Sequence, residues 1–323
     1  MYKLRVGENM NIMEIKNITK RFDYKLILDD VSFSIEKGEI FGILGPSGAG
    51  KTTLINILVG LVKMEKGEII VGENDINKEP LKARDMMGFV PQDIALFEGL
   101  NAKDNLEYFG SLYGLKGKLL KERIEEALKM VGLEDQAKKP VKKYSGEMKR
   151  RLNIAAAVLH HPEIIIMDEP TRGIDSQSTR CIFEIIQNIN KEKNTTIIYT
   201  SRNAKELEIL CNNIFIMDLG KEVVYGNKDY LKRMVQSDKI INIKARGDLD
   251  ILELSLRKLN NIRKVNTYEE LISLVCSEKI DLNMLLTEIS KHNVQIKNIS
   301  IEEISLEEVF LTITGKRLRE KEA

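Results

Sequence analysis

The stretch Gly45-Pro46-Ser47-Gly48-Ala49-Gly50-Lys51-Thr52 fits the spacing G-x-x-x-x-G-K-[ST], a loop built to hold nucleotide phosphates. Its glycines let the backbone curl so that successive N–H groups point inward at an anion. The helix that follows adds the positive end of its dipole. In this reading Lys51 reaches the β- and γ-phosphates, the Thr52 hydroxyl ligates Mg²⁺, and the loop runs on to Thr53. The flanks supply the context the motif requires. Residues 39–44 read as a short buried strand entering the loop, and residues 54–59 place apolar side chains as a packed helix does.

The chain has 323 residues, enough for one large domain or one domain plus a smaller one. It is 43% hydrophobic and 31% charged, an ordinary globular composition with ample core. A formal net charge of +1 gives no global argument for a nucleic-acid partner. The local clusters Lys138-Lys139, Lys142-Lys143 and Lys149-Arg150-Arg151 fit a solvated surface at least as well as a binding patch. Cys181, Cys211 and Cys276 form no C-x-x-C pair, which predicts reduced thiols and a cytoplasmic protein. No apolar run approaches the ~18 residues of a membrane helix. Residues 1–12 read as a disordered leader without the apolar core of a signal peptide. Any action at a membrane therefore passes through a partner.

Residues 13–35 alternate as short strands, and Lys37-Gly38 is a turn signal. Further strands are expected over residues 67–72 and up to Gly88-Phe89-Val90-Pro91-Gln92. Residues 101–160 are mainly helical, with apolar spacing of helical period from 118 to 131. Residues 163–168 form a continuous apolar strand of the kind buried in a parallel sheet. A helix over 178–191, a β-branched strand over 195–200 and a hairpin turning at Leu219-Gly220-Lys221 follow. Near Met234 the texture changes. Strands are expected over 239–244, 272–276 and 294–300, with a helix over 249–259. The domain boundary is placed near residue 236, giving an α/β unit over 13–235 and a small α+β unit over 236–323.

Ile164-Ile165-Ile166-Met167-Asp168-Glu169 is an apolar strand ending in two acids. Asp168 at its tip is placed to hold Mg²⁺ through water, and Glu169 to polarise an attacking water as general base. A core strand ending in surface acids is the plainer alternative. The nearby phosphate loop and the following Pro170 favour the catalytic reading. Between the two lies Tyr144-Ser145-Gly146-Glu147-Met148-Lys149-Arg150-Arg151-Leu152. With this segment the chain resembles the ATP-binding cassette (ABC) ATPases, the nucleotide-binding subunits of transporters. Their order of phosphate loop, Gln loop, signature loop, acidic strand and Asp loop is matched by Gln92, Ser145-Gly146, Asp168-Glu169 and Asp175.

The resemblance implies a P-loop NTPase cassette with a mixed-sheet core, an antiparallel β subdomain and a helical subdomain. It implies ATP and Mg²⁺ as ligands. Phe22 then resembles the aromatic that stacks on adenine, with Tyr24 as competitor and an ordinary Phe as the plain alternative. Gln92 would contact Mg²⁺ and report the nucleotide state to a membrane partner. Ser145 and Gly146, at a helix start, would meet the γ-phosphate bound to the opposite subunit. Two ATPs are thus sandwiched in a head-to-tail dimer of identical or related subunits, and Asp175 lies in the loop joining the sites. His160 and His161 read as ordinary loop residues.

Leu306-Glu307-Glu308-Val309-Phe310-Leu311-Thr312-Ile313-Thr314-Gly315-Lys316 resembles the ending of bacterial exporter-type subunits, daunorubicin-resistance-like and sodium-export-like. It also reads as a plain amphipathic helix. Such families work with a separate permease of about six membrane spans. Residues 93–115, with Leu96, Phe97, Tyr108 and Phe109, lie where a short permease helix is received, and the same side chains fit a core equally.

Two positions depart from the family pattern. Glu147 stands where a second signature glycine is usual, so a carboxylate is expected to face an anion. Two like charges at ~4 Å repel by ~1 kcal/mol in water and ~4 kcal/mol at an effective dielectric of 20. Arg202 stands where the switch histidine is usual, and a guanidinium cannot accept a hydrogen bond. Both positions would face one γ-phosphate from opposite subunits, which predicts that Arg202 of one subunit offsets Glu147 of the other, with Arg202 acting as an arginine finger. The leading function is the ATPase subunit of an ATP-driven exporter. Against it stand a soluble cassette ATPase acting on nucleic acid, ribosomes or protein assembly, which lacks a basic stripe here, and a weakly hydrolysing regulatory module.

Overall fold

A computed structural model describes residues 10–235, 239–277, 280–292, 294–302 and 304–315. The chain divides into two compact units, the first running to Lys228 and the second spanning Asp229–Lys316. This division falls seven residues before position 236, inside a helix whose own sequence gives no break. Most of the expected leader lies outside the described residues, but its end is a strand. Ile12 and Met13 are both buried, because a register shift between Asn11 and Met13 turns them both inward.

In the first unit, β1 (Asn11–Phe22) and β2 (Lys25–Glu36) are two long antiparallel strands. After them come β3 (Ile40–Leu44) and α1 (Lys51–Leu58). Next are β4 (Lys66–Val71), β5 (Asn74–Asp75), α2 (Pro80–Asp85) and β6 (Met87–Val90). A helical region holds α3 (Ala102–Leu112), α4 (Gly117–Met130) and α5 (Gly146–Val158). The chain returns through β7 (Ile164–Asp168), α6 (Ser176–Lys193), β8 (Thr196–Ser201) and α7 (Ala204–Leu210). It then forms the hairpin of β9 (Asn213–Asp218) and β10 (Lys221–Asn227), followed by α8 (Lys228–Met234).

One sheet, ordered β2-β1-β4-β5, is antiparallel. The other is ordered β10-β9-β3-β8-β7-β6 and is parallel from β9 to β6. β3, β7 and β8 are buried along their whole length, which explains their unbroken apolar sequences. The two sheets share one core, in which Phe33 of β2 packs on Phe41 of β3 and Phe215 of β9 at ring centroid distances of 5.2 and 4.6 Å. Burying each such ring removes roughly 150–250 Å² from water, so this cluster is a main weld between the sheets.

The second unit contains β11 (Lys239–Gly247), α9 (Leu249–Leu256), β12 (Ile262–Tyr268), β13 (Leu271–Cys276), α10 (Leu282–Ser290), β14 (Val294–Glu302) and α11 (Leu306–Thr314). Its sheet, ordered β12-β13-β11-β14, is antiparallel throughout. One face buries Ile241, Ile243, Ile272 and Leu274 against α9 and α10. The Leu306 segment is a helix closed by a capping box between Ser305 and Glu308, with Leu306, Val309 and Phe310 buried. Its Lys316 lies outside the described residues. Among the described residues no helix is long and apolar enough to cross a membrane.

Candidate functional site

β3, β8, β7 and β6 run parallel as neighbours, so their carboxyl ends share one edge of the sheet. Open parallel sheets bind ligands along that edge. β3 delivers the glycine loop, β8 delivers Ser201 and Arg202, β7 delivers Asp168 and Glu169, and β6 leads into Gln92.

The loop needs its glycines for two different reasons. A Cβ on Gly45 would lie 2.5 Å from the Met217 carbonyl oxygen, so the close approach of β9 excludes a side chain. Gly50 has φ +104° and caps α1 in a conformation that other residues rarely adopt. Lys51 folds back over the loop and is buried. Its Nζ donates to the carbonyls of Gly45 and Pro46 at 2.8 and 3.1 Å and lies 3.3 Å from Glu169 Oε1. Burial pulls this ammonium below the usual lysine range, and the Glu169 charge opposes the shift. Thr52 is exposed beside it, in the first turn of α1.

Asp168 is buried, and its Oδ1 accepts a hydrogen bond of 2.7 Å from the Thr200 hydroxyl. The same hydroxyl accepts from the Glu169 main-chain N–H at 2.9 Å. Glu169 has φ +43°, an uncommon backbone for a non-glycine residue and one concentrated at functional sites. Its Oε2 accepts from Gln92 Nε2 at 3.0 Å and from Arg202 Nε at 3.1 Å, with Arg202 Nη2 also at 3.1 Å. Residues 51, 92 and 202 therefore meet on the Glu169 carboxylate.

A buried ammonium beneath a glycine loop, at the N-terminus of a helix, fits a polyphosphate. The oxygen donors of Thr52 and Asp168 fit the hard cation Mg²⁺.

The signature segment, expected to meet a second nucleotide, lies at the start of α5. Ser145 caps α5, its hydroxyl accepting from Met148 N–H at 3.2 Å. A Cβ on Gly146 would meet nothing within 4 Å, so the helix start is open. The Glu147 carboxylate is engaged sideways. It lies 3.2 Å from Arg151 Nε, one turn along α5, and accepts from the Ser178 hydroxyl at 2.9 Å. Asp175 caps α6 through its Oδ1, which accepts from Gln177 and Ser178 N–H at 3.0 Å each, and those bonds hold its carboxyl below the usual range. Its Oδ2 is 2.7 Å from the Ser178 hydroxyl, so Ser178 joins the signature and Asp loops of one chain. The expected pairing of Arg202 with Glu147 of another subunit is thus not needed to neutralise either charge. Arg202 meets Glu169, and Glu147 meets Arg151, within the same chain.

Phe22 stands half-exposed at the end of β1, with the Lys20 ammonium 5.0 Å from its ring centroid. Tyr24 is fully exposed in the adjoining turn. His160 stacks on Tyr113 and hydrogen-bonds the Met87 carbonyl, while His161 sits beside Glu126, Arg123 and Lys193. Phe97, Tyr108 and Phe109 form one ring cluster, with Phe97 and Tyr108 exposed and Phe109 half-buried.

Four working residues escape the motif reading. Arg150, grouped with surface cations by sequence, is buried and donates to the carbonyls of Pro91 and Gln92 at 2.7 and 2.5 Å. Its helical spacing with the buried Ile154, Ala157 and Val158 is the signal that sets it apart from Lys149. Glu206 Oε2 accepts from the hydroxyls of Thr171, Tyr199 and Ser201 at 2.9, 3.0 and 2.8 Å. Thr200 carries no local signal, since its partners come from another element, and Ser178's bond to Asp175 is local while its bond to Glu147 is not.

The sequence family described as "ABC transporter" matches residues 28–172, and "ATP-binding protein DrrA1-3-like, C-terminal domain" matches residues 226–314. The chain is 41% identical to "Linearmycin resistance ATP-binding protein LnrL" of Bacillus subtilis (strain 168), over 96% of this chain and 100% of that one. It is 31% identical to "Daunorubicin resistance ATP-binding protein DrrA3" of Streptomyces coeruleorubidus, over 94% of this chain and 96% of that one. Among solved structures, a dimeric ATP-binding cassette in a post-hydrolysis state with ADP and phosphate superposes with a TM-score of 0.61. That match covers 67% of this chain and 98% of the other at 28% identity. The chain belongs to the ATP-binding proteins of ABC transporters and is the ATPase subunit of an export system.

Proposed function

We propose that this subunit dimerises on MgATP, as two copies or with a related chain, and drives a separate permease of about six membrane spans. It would sit at the cytoplasmic face of the membrane, held there by the permease. The cargo would be a small-molecule antibiotic, by analogy with the resistance named for the two relatives. Residues 13–235 would form the nucleotide unit and 236–323 an accessory unit. The exposed rings of Phe97 and Tyr108 would receive a permease helix.

The observation that carries the reading is the meeting of Lys51, Gln92 and Arg202 on Glu169, beside the glycine loop. Lys51 and the N–H groups of Gly45, Ser47, Gly48, Ala49, Gly50 and Thr53 would bind the phosphates, with Pro46 shaping the loop without a donor of its own, and Phe22 the adenine. Thr52, Asp168 and Gln92 would hold Mg²⁺, which supplies positive charge to the polyphosphate. Glu169 would take a proton from the attacking water. Ser145, Gly146 and Glu147 would present the start of α5 to ATP on the opposite subunit, with Asp175 between the two sites. Arg202 would act on the site through Glu169.

Glu169→Gln is expected to lower ATP turnover at least about 10²-fold while ATP still binds. The full-length chain is expected to purify from membranes with a polytopic permease. Undiminished turnover by Glu169→Gln would remove the catalytic assignment, and purification without any membrane partner would remove the transport assignment.

A further inference from the structure

Glu169 Oε2 accepts from two donors, Gln92 Nε2 and Arg202 Nε, with Arg202 Nη2 also 3.1 Å away, and Oε1 lies 3.3 Å from Lys51 Nζ. A carboxylate oxygen offers about two lone-pair directions, so Oε2 has none left for a proton arriving from water. Lys51 and Gln92 would be drawn off by phosphate and metal when ATP loads. Arg202 has no such release built in. Its flanks are pinned, because the Ser201 hydroxyl donates to Glu206 and accepts from Asn203 N–H at 2.8 and 2.9 Å. Glu206 also accepts from Thr171, two residues beyond Glu169, so one carboxylate fixes both segments that carry the ion pair. A guanidinium stays charged and cannot accept a hydrogen bond, so Arg202 cannot pass the proton on.

We propose that Arg202 is a positioning residue that withholds the Glu169 Oε2 oxygen from the attacking water, so that turnover is limited by parting this pair and not by loading ATP. The inference rests on Glu169 being the general base. Arg202 is about one-third exposed, so its replacement leaves the core intact.

The test is single-turnover MgATP hydrolysis by the full-length chain, with ATP affinity and melting temperature measured in parallel. Arg202→Ala and Arg202→Gln should each hydrolyse about tenfold faster than the unaltered chain, with ATP affinity unchanged. Raising the salt from about 50 to about 500 mM should speed the unaltered chain and leave Arg202→Ala flat, since only the former has the partly exposed Arg202–Glu169 pair to screen, the Lys51–Glu169 pair being buried in both. Rates at or below the unaltered chain in both variants would overturn the proposal and make Arg202 a direct aid to hydrolysis. An equal salt response in both chains would also overturn it. Glu169→Gln separates the two readings. If it turns over normally, the general-base assignment fails and takes this proposal with it. If it is inactive while the Arg202 variants are not faster, only the restraint by Arg202 fails.

Discussion

Thr200 carries a single hydroxyl that serves two residues of the acidic strand. It donates to the Asp168 carboxylate and accepts from the Glu169 main chain, and it is fully buried. Thr200→Val keeps the shape and removes both bonds. It leaves a buried carboxylate oxygen and a buried N–H without that partner, which costs about 1–3 kcal/mol. Urea unfolding should show that loss, and Mg²⁺-dependent ATP affinity should fall as Asp168 loses its fixed orientation. An unchanged unfolding midpoint would show that other groups set the acidic strand. Lys51 and Glu169 were legible in the sequence because a local pattern marks each. Thr200 was not, because its role comes from the register that sets it opposite Asp168 across β7 and β8, 32 residues apart in the chain.

At the scale of elements, α5 links the signature segment to the Gln92 segment. Its first turn presents Ser145 and Gly146, and Arg150 on its buried face clamps the backbone at Gln92. Arg150→Met should lower stability by about 1 kcal/mol, because two partly buried carbonyls lose their donor. It should also reduce turnover more than ATP affinity, because the Gln92 segment loses its tie to the signature helix. Arg150→Lys, which keeps one donor group, should recover part of both. Equal losses of turnover and affinity would assign Arg150 to folding alone.

Elements with clean patterns read well from sequence. The hairpin expected at Leu219-Gly220 turns there, with φ +48° and +79° at those residues, the backbone that suits a two-residue turn. β12 was missed because a register shift between Ile262 and Lys264 breaks the period of two that marks a strand. α10 shows only Leu285 and Ile289 buried, too short a stripe to stand out among exposed apolar neighbours.

At the scale of the whole molecule, the proposed ATP site has two halves that lie on different elements of the chain. The glycine loop and Glu169 lie along the carboxyl edge of the parallel strands, whereas the start of α5 opens outward with nothing over Gly146. The motif order in the sequence is the ground for expecting both halves. The intrachain partners of Glu147 and Arg202 became visible only when α5, α6 and β8 were placed in space. Light scattering on the full-length Glu169→Gln chain tests this composite site most directly. The account predicts a monomer without nucleotide, a dimer with MgATP, and a monomer again when Lys51→Ala is added. A monomer at saturating MgATP, or a dimer of equal stability without nucleotide, would contradict it.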